Sequence, residues 1–311
     1  MTNITGMPNL KSMPYGGSYA TLDPFLCEHK KELIIKYANE TIDPEELKNE
    51  YCNYFRDWMG STHKLKGLEN YNIACFSQGT TESFHHFYLR FMNKKRIRIA
   101  KGEYFFHLML VKLYGLNQQF AWLDEDELRE GDVLLLSCPF GDTGNIFPNL
   151  ENILCKCDEL SIPVFLDFAY INLAIDFEID LSHKCIEYIS SSLSKVFPLY
   201  EHRIGIRLQK VFREDHMSVI NEPGYNYINL MSMYLGLHMM KKFPADWLYN
   251  NYKEKQIKMC KKLGLIPSSS VTLGLDYENK YKEYSRGGHN TNRLCFSRIW
   301  DRTMIDGSQQ E

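Results

Sequence analysis

The sequence has no apolar run near the ~18–20 residues that cross a bilayer, so no membrane span is expected. Met1 to Asn9 carry neither the basic start nor the apolar core of a secretory leader, and the expected setting is cytoplasmic. Among nine cysteines there is no C-x-x-C pair. Cys155-Lys156-Cys157 is too tight for a zinc knuckle and no Cys/His pair accompanies it, so no metal site is expected and the thiols read as reduced. An excess of one charge is lacking as well. Lys and Arg total 36 against 39 Asp and Glu, a net charge of -3 that argues against a nucleic-acid-binding face. No internal repeat or low-complexity tract is present. What remains is 311 residues at 44% hydrophobic and 24% charged, enough for one large core or two unequal lobes.

Residues 1–30, with Gly6, Pro8, Pro14, Gly16, Gly17 and Pro24, read as an extended arm. Asp43-Pro44-Glu45-Glu46 then opens a helix: an aspartate cap, a first-turn proline and acids at the positive helix end. Tyr51, Tyr54, Phe55 and Trp58 continue it at helical spacing, and Gly60 ends it. From residue 71 short apolar strands (73–76, 97–100, 132–137, 163–167 and 186–189) alternate with helical stretches. That alternation predicts an α/β fold with a mostly parallel sheet covered on both faces, with ligands at the carboxyl ends of its strands. After residue 210 the chain is mostly helical, with a short β region near 270–297. The expected division is an N-terminal arm and part of a small domain (1–45), a large domain (46–225) and a shortened α+β C-terminal domain (226–311).

The chemistry concentrates in Ser190-Ser191-Ser192-Leu193-Ser194-Lys195 and, eight residues on, Arg203-Ile204-Gly205. A lysine among small hydroxyl residues at a strand end suits Schiff-base chemistry, which needs an amine in a partly desolvated pocket. The same residues also read as a solvated lysine in a serine-rich loop. Hydroxyls and a guanidinium fork suit a phosphate dianion. Gly79-Thr80-Thr81 lies between a strand and a helix, where free N–H groups meet an anion, or where a threonine simply caps. Asp167 ends an apolar strand and could pair with a protonated pyridine nitrogen or serve as an ordinary cap; Tyr170 follows it.

Together, Gly79-Thr80, Thr143-Gly144, Asp167-Phe168-Ala169-Tyr170, Ser192-Leu193-Ser194-Lys195 and Arg203-Ile204-Gly205, in that order, resemble the class I/II aminotransferases. These are fold-type I enzymes that use pyridoxal 5'-phosphate (PLP). The resemblance spans roughly residues 35–298. It implies that Lys195 carries PLP as an internal aldimine, that Gly79, Thr80, Ser192 and Arg203 hold its phosphate, and that Asp167 meets its ring nitrogen and Tyr170 its O3′. It further implies that Tyr104, with Phe105 as runner-up, stacks on the ring, that Arg293 takes the substrate α-carboxylate, and that Tyr37 reaches the phosphate of a neighbouring subunit in a homodimer with shared sites. The sequence departs from the family at Gly141, where an asparagine that contacts O3′ is usual. The implied reaction moves an amino group from an amino acid to a 2-oxo acid. Elimination, replacement, cyclisation or decarboxylation on the same scaffold is the alternative, and a non-catalytic PLP-binding protein the third reading.

Overall fold

A computed structural model describes residues 13–92, 96–288 and 291–300. The outer parts of the expected arm and C-terminal domain, residues 1–12 and 301–311, lie outside them. In chain order the main elements are α1 (Pro24–Tyr37), α2 (Pro44–Gly60), β1 (Lys64–Lys66), β2 (Ile73–Ser77), α3 (Thr80–Phe91), β3 (Arg96–Ile99), α4 (Phe106–Leu113) and β4 (Phe120–Trp122). Then follow β5 (Asp132–Ser137), α5 (Leu150–Glu159), β6 (Val164–Asp167), β7 (Glu178–Asp180), β8 (Ile186–Ser192), β9 (Gly205–Gln209) and α6 (His216–Asn221). The chain ends in α7 (Leu230–Lys242), α8 (Trp247–Leu263), β10 (Ile266–Pro267), β11 (Leu273–Asp276) and β12 (Asn292–Cys295).

The extended reading of residues 1–30 fails at its last quarter, because α1 starts at Pro24. Asp23 accepts hydrogen bonds from the Phe25 and Leu26 N–H groups, and a proline occupies the first turn. This is the same start signal that opens α2, where Asp43 accepts from Glu45 and Glu46.

Seven strands form one sheet in the order β2-β9-β8-β6-β5-β3-β4. All are parallel except β9, which runs antiparallel between β2 and β8. β5 and β6 are buried at every position, as strands covered on both faces must be. One face packs on α3 and α4 through Phe84, Phe87, Leu110, Phe165 and Tyr188. The other carries the larger core, including Tyr51, Phe55, Leu134, Leu166, Phe197 and Met233. Parallel strands bring their carboxyl ends to one edge, and the register aligns specific residues there. Ser137 pairs with Asp167, Asp167 with Ser190, and both Ser192 and Ser77 with Gly205. A separate antiparallel sheet, β10-β11-β12, carries Arg293 opposite Leu275.

Candidate active site

The strand ends open onto a cavity of about 110 Å³ lined by Thr80, Tyr104, Asp167, Tyr170, Ser192, Lys195, Arg203 and Arg293. Eight of the sequence-predicted residues, drawn from six separate segments, therefore meet around one space. Gly79 stands just behind it.

At one end lies an anion cradle. Gly79 has φ +83° and precedes α3, whose first two residues, Thr80 and Thr81, line the cavity. The Arg203 guanidinium donates to the Gln78 carbonyl (3.1 Å) and to Thr81 Oγ1 (3.0 Å). A Cβ on Gly79 would sit 2.6 Å from Arg203 Nη2, so both the left-handed backbone and the closeness of the arginine demand glycine. Ser192 Oγ donates to the Ile204 carbonyl at 2.8 Å, tying the serine run to the arginine loop.

At the middle, Asp167 is buried and accepts the Ala169 N–H at 2.9 Å. Burial pushes its carboxyl up to about 8, with the nearby Glu103 adding to the rise and the Lys195 charge opposing it. A carboxyl in this state is poised for a cation that would hold it ionised. The half-buried Lys195 donates from Nζ to the Ser18 carbonyl at 2.6 Å, so the N-terminal segment crosses directly over the amine. For Tyr170, burial works to raise the phenol, but the charges of Arg293, Lys195 and Arg286 outweigh it and hold the phenol below its ordinary range. Tyr104 lines this inner cavity, whereas Phe105 lines only the outer one described below.

At the far end, Arg293 is buried. Its Nη1 donates to the Gly141 carbonyl and lies 3.4 Å from Tyr170 Oη. Its Nε and Nη2 are buried with no hydrogen-bond partner among the described residues. Two adjacent unsatisfied guanidinium donors are the two prongs a carboxylate accepts, and leaving them unmade is costly.

A larger cavity of about 270 Å³ adjoins this one and shares Tyr104, Tyr170, Lys195, Arg286 and Arg293 with it. Ile99, Phe105, Leu108 and Trp122 form its apolar wall, and residues 16–19 close it. Sequence reasoning assigned no part in the site to Arg286, Glu103 or Ser18. Arg286 donates to the Gly16 carbonyl at 2.9 Å; burial first, and then Arg293, lower its guanidinium to about 10 while Tyr170 and Asp142 oppose them. Glu103 is buried and pushed up to about 7, chiefly by burial, and it accepts from the Ser137 N–H and Oγ and the Tyr104 N–H. These partners also account for Gly141. A Cβ there would lie 3.3 Å from Ser137 Oγ and 3.5 Å from Glu103 Oε2, leaving little room for an asparagine side chain on that side. The one signal available in sequence was Glu103's place beside Tyr104 just after a strand end. Tyr37 packs its ring on Tyr234 at 5.4 Å and lines neither cavity of its own chain; the site expected to receive it belongs to a neighbouring subunit.

Residues 29–225, more than half of the chain, match the aminotransferase class I and II family. The chain belongs to that family. Family membership implies PLP as cofactor and makes the protein an enzyme of the aminotransferase type. Among solved structures, it is similar to a probable N-succinyldiaminopimelate aminotransferase from Thermus thermophilus (15% identity, 94% of this chain and 92% of that one, TM-score 0.65). It is also similar to a tyrosine aminotransferase from Leishmania infantum (13%, 96% and 95%, TM-score 0.66) and to a putative PLP-dependent β-cystathionase from Corynebacterium diphtheriae (12%, 96% and 93%, TM-score 0.59). At such identities the likeness establishes the fold, which is PLP-dependent transferase fold type I. No curated protein matches the chain by sequence. No described helix is long and apolar enough to cross a membrane.

Proposed function

We propose that the protein is a PLP-dependent aminotransferase that moves the amino group of an α-amino acid with a large uncharged side chain to a 2-oxo acid. The observation that carries this reading is the convergence of Lys195 and a buried Asp167 on one cavity with a cradled arginine, Arg203, at one end and the unsatisfied prongs of Arg293 at the other. The residues fit PLP: Gly79, Thr80, Ser192 and Arg203 would hold its phosphate, Asp167 its ring nitrogen, Tyr170 its ring oxygen and Tyr104 a ring face. PLP supplies an aldehyde that condenses with amines and an electron-poor ring that stores charge. Lys195 Nζ, once it leaves the Ser18 carbonyl, is the chain's amine for that aldehyde and then the base that moves the substrate's α-proton. Asp167, in its ionised form, keeps a proton on the ring nitrogen. Arg293 fixes the α-carboxylate and thereby orients the α-carbon toward Lys195.

The side-chain class follows from the lining of the outer cavity. Arg203 belongs to the phosphate end and Arg293 to the α-carboxylate, while Arg286 donates to the Gly16 carbonyl at the mouth of the outer cavity. Glu103 is filled by three donors. Ile99, Phe105, Leu108 and Trp122 make the outer wall apolar, which suits an apolar side chain of the substrate.

The same residues could serve elimination, replacement, cyclisation or decarboxylation. The specific observation favouring that second reading is Gly141, which leaves Tyr170 without a neighbouring amide donor. Purified protein with PLP is expected to be yellow and to bleach when an amino acid with a bulky uncharged side chain is added, regaining colour with a 2-oxo acid. Release of ammonia without bleaching would replace transfer by elimination. We also propose a homodimer with shared sites; α1 leaves Phe25 and Ile35 exposed, and light scattering of the purified chain tests the assignment.

A further inference from the structure

Before the amino-terminal end of β8, whose other end leads to Lys195, three metal-type donors converge. α5 carries Glu151 and Cys155 four residues apart, on one helix face. The loop entering β8 sets His183 against them. His183 Nε2 lies 3.0 Å from Glu151 Oε1, and Cys155 Sγ lies 3.9 Å from the same oxygen. All three ligand atoms fall within 4.8 Å of one another. Tetrahedral zinc, with bonds of about 2.0 Å to N and O and about 2.3 Å to S, separates N from O by about 3.3 Å and S from O by about 3.5 Å. The observed spacings straddle those values.

The other imidazole nitrogen is already committed. His183 Nδ1 is 2.7 Å from Asp158 Oδ2, and Asp158 Oδ1 is fixed by the Cys185 N–H at 2.6 Å. A carboxylate on Nδ1 presets the tautomer that leaves the Nε2 lone pair facing outward, the arrangement found behind metal-bound histidines. That lone pair then points at a carboxylate oxygen, a contact that requires a cation between the two: a proton or a metal. Cys155 is the exposed cysteine of the nine, the others being buried or half-buried. Its soft sulfur, beside an imidazole, selects zinc over magnesium or calcium.

We propose that Glu151, Cys155 and His183 form a three-donor zinc site with its fourth position open to solvent, and that Asp158 supports it through His183. Cysteine spacing does not encode such a grouping, because the histidine arrives from the next strand connection rather than from the helix that carries the thiol.

The test uses the full-length PLP-loaded protein, stripped of adventitious metal with a chelator and then titrated with zinc alone or magnesium alone. Alkylation of Cys155 is followed by peptide mass spectrometry and zinc uptake by calorimetry. One zinc per chain is expected, with Cys155 alkylation slowed at least about 10-fold and unchanged by magnesium. Cys155→Ser and His183→Gln should each weaken zinc binding at least about 10-fold, and Asp158→Asn by about 10-fold. Cys155 is exposed, so Cys155→Ser should melt with the parent, which keeps its lost zinc signal from meaning lost folding. Unchanged Cys155 alkylation in zinc, or zinc binding that survives both Cys155→Ser and His183→Gln, would overturn the site and leave a proton as the bridging cation.

Discussion

The inner and outer cavities share a wall but are built differently. The inner one rests on strand ends: Ser137, Asp167 and Ser192 are buried and each terminates a strand, with Ser137 paired to Asp167 in register. The outer one is assembled from an N-terminal segment, the start of α4, a short edge strand and the loop carrying Arg286. The first is fixed by a hydrogen-bonded sheet, so its polar groups are held rigidly and their chemistry is preset. The second is held by loop contacts such as Lys195 to Ser18 and Arg286 to Gly16, and its shape is where specificity can vary without disturbing the chemistry.

The sharpest way to break this division is to remove the amine. Lys195→Ala should lower steady-state amino transfer by at least about 10³-fold. The melting temperature should barely move, because among the described residues the side chain's hydrogen bond is to a loop carbonyl. Turnover that survives the substitution would take Lys195 out of the mechanism. A smaller loss is expected from Arg293→Lys, which keeps the charge but gives up the two-pronged donor. One charged hydrogen bond is worth about 1.5–3 kcal/mol, so kcat/KM should fall by about 10–100-fold. A loss of similar size with an amine lacking the carboxylate would contradict the assignment.

The same contrast decides what could be read from sequence. Inner-site residues travel in short contiguous runs, Asp167 to Tyr170 or Ser192 to Lys195, because a strand end followed by a tight turn is a local structure with a local signature. Arg286, Glu103 and Ser18 converge from separate segments, and no spacing encodes their meeting. Two misses have other causes. β9 escaped notice because Arg207 and Gln209 break its apolar run, yet both are buried, and Arg207 is matched by Asp215 at 2.6 and 3.1 Å. α1 was legible and overlooked, since Asp23-Pro24 repeats the Asp43-Pro44 signal but sits among glycines and prolines that suggested an arm.

Stability against pH sharpens the picture of Asp167 as a buried acid awaiting a cation. Its carboxyl is pushed up to about 8 in the folded chain, against about 3.9 when unfolded. The folded form therefore holds a proton that the unfolded form has released across that interval. Its contribution to stability is full below about pH 4 and is lost as pH rises through about 8, at up to about 1.4 kcal/mol per pH unit. In protein freed of cofactor, denaturant midpoints should fall from pH 5 to 7 more steeply for the parent than for Asp167→Asn. Glu103, pushed up to about 7 chiefly by burial, is present in both proteins, so the difference between their slopes reads Asp167 together with its coupling to Glu103. Parallel profiles would mean that Asp167 is already ionised and paired by a group of the chain itself.

The mildest expected effect belongs to the outer wall. Leu108 is half-buried and lines only the larger cavity. Leu108→Trp should fill part of that space and leave the inner residues untouched. If the outer cavity receives the substrate side chain, KM should rise for donors with bulky side chains and stay level for alanine, by a factor of about 10 or less, since a carbon's worth of pocket contact can be as little as about 1 kcal/mol. Equal changes for both donors would mean that the substitution had shifted the shared wall at Tyr104. No change for either would assign the side chain to a different exit from the site, past Tyr200 and Arg203, which line both cavities.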